Sequence, residues 1–68
     1  MRAYRLLTGE DTSAFCHKVS EALARGWELH GGPAYAHDPS SGTMRCAQAV
    51  VKEVPGAVYD PAMRLGEL

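Results

Sequence analysis

The chain has few cysteines, no excess of basic charge and no long apolar run, and each shortage excludes a class of protein. Two cysteines in 68 residues, Cys16 and Cys46, fall on different predicted elements and are too few for the disulfide framework of a small secreted domain. Met1-Arg2-Ala3-Tyr4 opens directly into a strand-like stretch, so no signal peptide is expected. The expected location is therefore cytoplasmic, with both thiols reduced and buried as small hydrophobes. A formal net charge of -1 leaves no basic face for nucleic acid. No apolar run approaches the ~20 residues of a membrane span, so a membrane is not an expected partner either.

Motifs that carry chemistry are missing too. His17, His30, His37, Cys16 and Cys46 are metal-ligating types, but only Cys16 and His17 are close in sequence. Adjacent helix residues point about 100° apart, so no metal site is expected. Cys16 near a helix start, with His17 or His30 as base, has the makings of a nucleophile. Its place beside Phe15 reads instead as apolar surroundings, which raise a thiol pKa, and no catalytic residue is assigned. Gly31-Gly32-Pro33 has neither a lysine nor a following helix to hold phosphate, so it reads as a bend, and no cofactor is expected.

What is present is amphipathic patterning. Arg2 to Leu7 alternates, with Tyr4 and Leu6 on one face and Ala3, Arg5 and Leu7 on the other, which predicts a first strand. Thr8-Gly9-Glu10-Asp11 is expected to break it, and Asp11 or Thr12 to cap a helix running from Thr12 to Arg25. Phe15, Val19 and Leu23, flanked by Cys16 and Ala22, form its apolar stripe; His17, Lys18, Glu21 and Arg25 form its wet side. Gly26 can close the helix in the left-handed conformation, and Trp27 opens a second strand as a large apolar anchor.

Glu28 and His30 project together from that second strand as a solvated face. Gly31-Gly32-Pro33 bends it, Ala34-Tyr35-Ala36 resumes it, and the turn formers from His37 to Thr43 make a hairpin loop. In the third strand, Met44 to Val51, Cys46, Gln48 and Val50 face one way and Ala47, Ala49 and Val51 the other. Apolar residues on both faces place that strand centrally. The expected fold class is α+β: a β-α-β-β unit, a three-stranded sheet in order 1-3-2, one helix on one face and an irregular C-terminal tail. Residues 1–53 are read as one small domain, and residues 54–68 as a tail that packs on a partner subunit.

Tyr4-Arg5-Leu6-Leu7-Thr8-Gly9, Ser13-Ala14-Phe15-Cys16, Gly26-Trp27-Glu28-Leu29 and Ala47-Gln48-Ala49-Val50-Val51-Lys52 together resemble the short bacterial domain-of-unknown-function 1737 family. The resemblance covers roughly positions 3 to 53. It implies a compact α+β domain from bacteria or phages and brings no activity or catalytic residues with it.

The functional expectation follows from assembly. One helix covers one side of the sheet and leaves a second apolar side bare, so the chain reads as a non-enzymatic module that forms a homo-oligomer. Gln48, Val50, Val58, Tyr59, Met63 and Leu65 are the expected interface residues. The alternative is an accessory subunit that binds a small molecule or peptide near Trp27, His30, Tyr35 and Gln48.

Overall fold

The computed structural model describes Met1–Leu68 and orders the chain as β1 (Arg2–Glu10), α1 (Ser13–Ala24), β2 (Glu28–Leu29), β3 (Ala34–Asp38), β4 (Thr43–Glu53) and a closing 3-10 turn at Leu65–Glu67. β4 organises the sheet. Antiparallel β1 runs along one edge of it, from Arg2 opposite Glu53 to Glu10 opposite Arg45. On its other edge β2 and then β3 pair with it in succession, also antiparallel.

The α+β class stands, while strand count and order differ in detail from expectation. The sheet has four strands in order β1-β4-β2, with β3 also on β4. The extra strand arises because Gly31-Gly32-Pro33 separates β2 from β3 where a single bent strand was expected. β1 also runs on to Glu10, through the residues expected to break it. Gly9 belongs in the strand because the Phe15 ring sits against it: a Cβ at Gly9 would lie 3.1 Å from Phe15 Cδ1.

The helix covers the face that carries Ala3, Leu7, Cys46, Gln48 and Val50, all buried. The core cluster is Ala3, Leu7, Ala22, Trp27 and Val50, with Met1, Phe15, Val19, Leu65 and Leu68 packed against it. The helix is turned slightly from its expected setting. Its inward line is Phe15, Val19 and Ala22, which leaves Leu23 43% exposed. Cys16 is exposed as well, so only Cys46 behaves as a buried thiol.

At the helix start Thr12 is extended and caps without a side-chain hydrogen bond. The expected alternative, Asp11, instead accepts from the Tyr35 hydroxyl on β3. At the helix end Gly26 takes a φ of +94°, as expected. Its N–H donates to Leu23 O at 3.1 Å and the Trp27 N–H to Ala22 O at 3.0 Å, the paired bonds of a Schellman termination. Trp27 and Ala22 then meet in the core, so the cap and the apolar anchor form one device.

Part of the tail packs on its own chain. Leu65 and Leu68 pack on their own chain's core, and Gly66 O accepts from Arg25 Nη1 at 3.1 Å. Leu65 is thus half-buried against its own chain's core. Val58 and Tyr59 do stay open, at 85% and 63% exposure.

Candidate functional site

Strand alternation sends the side chains of Arg2, Tyr4, Leu6, Thr8 and Glu10 to the face away from the helix. Cross-strand register gives that face its rows. Tyr4 lies opposite Val51, which lies opposite Glu28; Leu6 lies opposite Ala49; Thr8 lies opposite Ala47, which lies opposite Ala34. No helix or strand lies over these rows, and Tyr4 and Leu6 are 52% and 54% exposed. The rims are charged: Arg2 lies opposite Glu53 at one end, and Glu10 pairs with Arg45 at 3.9 Å at the other. The middle of this face is thus mainly apolar and framed by mixed charges.

The opposite side of the molecule holds a shallow groove of about 280 Å³ between α1 and the β2–β3 bend, lined by Phe15, Cys16, Val19, Leu29, Pro33 and Gln48. Gln48 is the polar member. Its Nε2 donates to Gly31 O at 3.1 Å and to Ala49 O at 2.9 Å, which ties the bend to β4. A mid-strand amide thus stands in for ladder bonds that the Gly-Gly-Pro interruption cannot make.

The four residues expected to bind a ligand are not gathered. Trp27 is only 1% exposed, in the core, while His30 is exposed in the β2–β3 connection. Tyr35 stands opposite Cys46, four residues along β4 from the Val50 that packs with Trp27, a separation of roughly 13 Å along the strand. The Asp11 carboxylate, by accepting from the Tyr35 hydroxyl, holds that phenol above its ordinary pKa. Burial likewise pushes the Cys46 thiol up. Among the expected interface residues, Val50 is corrected outright: at 0% exposure it has no surface to offer a partner. Gln48 spends its amide hydrogens within its own chain.

Two cations escaped sequence reasoning. Arg5 and Lys52 lie 5.3 and 5.9 Å from the centre of the Trp27 ring, and Lys52 Nζ also donates to Arg25 O at 2.8 Å, at the helix C-terminus. Their attraction offsets part of the cost of Trp27 Nε1, which is buried without a partner. No signal short of the β1–β4 register brings residues 5, 27 and 52 together.

The family described as a domain of unknown function, DUF1737, matches residues 1–53. The chain belongs to that family. The matched segment of this DUF1737 domain ends at the last residue of β4, so it takes in the whole sheet and the helix and stops short of the tail. No curated protein and no solved structure matches the chain. No group of three or more metal-ligating side chains forms, and no helix is long and apolar enough to cross a membrane.

Proposed function

We propose that this DUF1737 domain is a non-enzymatic interaction module that self-associates, its bare sheet face meeting that of a second copy. The observation that supports this reading is the exposure of Tyr4 and Leu6, 52% and 54%, beside Ala47, Ala49 and Val51 on the same face. Stacking two such faces buries both strips, and the mixed charges at the rims let a two-fold arrangement match opposite signs. Val58 and Tyr59, open on the tail, offer further apolar surface to a neighbouring copy. Both cysteines are free thiols, one of them exposed, which suits a reducing, cytoplasmic setting. Sedimentation velocity over a concentration series tests the reading, which requires a reversible shift from single to multiple copies.

A second reading rests on the groove beside Cys16. Its apolar lining and volume of about 280 Å³ suit a small apolar molecule or a peptide side chain, as in an accessory subunit. Protection of the exposed Cys16 thiol from alkylation by a candidate ligand separates this reading from assembly, because the groove and the bare face lie on opposite sides of the sheet.

A further inference from the structure

β1 is nine residues long and pairs on one side only. The bonds that extend its ladder with β4 join Val54 N–H to Met1 O and Asp11 N–H to Met44 O, both at odd-numbered β1-side positions. Backbone groups alternate in direction along a strand, so Arg2, Tyr4, Leu6, Thr8 and Glu10 turn theirs to the free edge. At Glu10 the carbonyl accepts the Thr12 N–H at 2.8 Å and keeps a second lone pair, and at Thr8 Lys18 Nζ donates to the carbonyl at 2.7 Å. That oxygen keeps a second lone pair.

We propose that a second copy of this chain occupies the edge, its β1 running antiparallel to the first about a two-fold axis at Leu6. Leu6 then faces the partner's Leu6, Tyr4 faces the partner's Thr8, and Arg2 faces the partner's Glu10. All of these residues turn their backbone groups to the edge, and the two carbonyls already engaged, those of Thr8 and Glu10, each keep a lone pair for the facing strand, so every facing pair exchanges hydrogen bonds.

Charge selects this register. Centring the axis on Arg5 would set two arginines face to face in the close, non-hydrogen-bonded pairing, and centring it on Leu7 would leave Arg2 without a facing residue. With the axis at Leu6, existing neighbours extend the match. Arg2 already lies opposite Glu53, and Glu10 opposite Arg45. The row across the joined sheets becomes Glu53, Arg2, the partner's Glu10 and the partner's Arg45, alternating in sign throughout, and it occurs twice.

The proposal rests on the self-association reading and adds a contact to it. Edge pairing merges two bare faces into one broader apolar surface and leaves that surface free to stack. The two contacts together would close four copies about perpendicular two-fold axes.

Two kinds of variant test it. Arg2→Glu and Glu10→Arg each place like charges across the edge, and each is expected to raise the dissociation constant of the edge contact roughly tenfold. Mixing the two variants restores opposite signs at both ends, so the mixture is expected to associate more tightly than either variant alone. Thr8→Pro removes an N–H that points to the free edge and no internal ladder bond, so it is expected to block the contact with unchanged Trp27 fluorescence. Wild-type protein that associates while all three variants sediment as it does would overturn edge pairing and leave face stacking standing. A wild-type chain that stays single at every concentration would overturn both.

Discussion

The Trp27 backbone N–H donates to the Ala22 carbonyl at 3.0 Å, and the two side chains meet in the same core cluster. One short loop thereby ends the helix, delivers the largest core residue and aims the chain into β2. Gly26 makes this possible, because its φ of +94° is one that an L side chain rarely adopts.

Gly26→Ala is therefore expected to cost about 1 to 2 kcal/mol of stability. The nearest obstacle to the new methyl group is the flexible Lys52 stem at 3.5 Å, so the loss would come from backbone strain and not from a clash. Urea denaturation followed by Trp27 fluorescence measures it.

The tail divides into a part that packs on the core and a part that does not. Leu65→Ala and Leu68→Ala, which remove half-buried side chains from the core, are each expected to cost about 1 to 2 kcal/mol. Val58→Ser, at an 85% exposed position, should change folding stability by less than about 0.5 kcal/mol. Equal losses at all three positions would refute the division.

Gln48→Leu keeps the volume and removes both donated bonds. It is expected to cost about 1 kcal/mol, with faster hydrogen exchange centred on Gly31 and the β2–β3 connection, which the amide holds to β4. Unchanged exchange in the β2–β3 connection would show that the bend holds without it.

Stability should fall at both ends of the pH range. Asp38 accepts from the Ser40 hydroxyl and N–H, which lowers its pKa in the folded state. Its contribution is present above the unfolded value and is lost as pH falls through the folded one, below about pH 4. Tyr35 and Cys46 have raised values, from the Asp11 hydrogen bond and from burial respectively. Their contributions are present at neutral pH and are lost in alkali, above about pH 9 for the thiol and about pH 10 for the phenol. Asp38→Asn should flatten the acid limb and Tyr35→Phe part of the alkaline one, read from denaturation midpoints across pH.

Periodic features were legible from the residues alone. The alternation from Met44 to Val51 located the central strand and assigned its two faces, and Gly26 marked the helix end. Long-range features were not. Asp11 reads as a cap, but its carboxylate meets Tyr35, 24 positions away, and a cap signal is purely local. Gly9 reads as a breaker, yet its missing side chain makes room for Phe15. Leu23 outranks Ala22 in hydrophobicity, but the helix approaches the sheet along the smaller residue, a packing preference that periodicity does not contain. Leu65 and Leu68 carry no period at all, so their packing on the core appears only once the sheet is assembled. For the bare face, Tyr4 and Leu6 were visible as a pair, whereas the charged rows that frame it depend on register.

The most direct test of self-association compares the wild-type chain with Leu6→Lys by sedimentation velocity over the same concentration series. Leu6 is 54% exposed, so the substitution should shift folding stability by no more than about 0.5 kcal/mol while placing a charge at the centre of the apolar strip. The account predicts a wild-type chain that assembles as concentration rises and a folded Leu6→Lys chain that remains single. A wild-type chain that remains single throughout, or a lysine variant that assembles just as well, would contradict it.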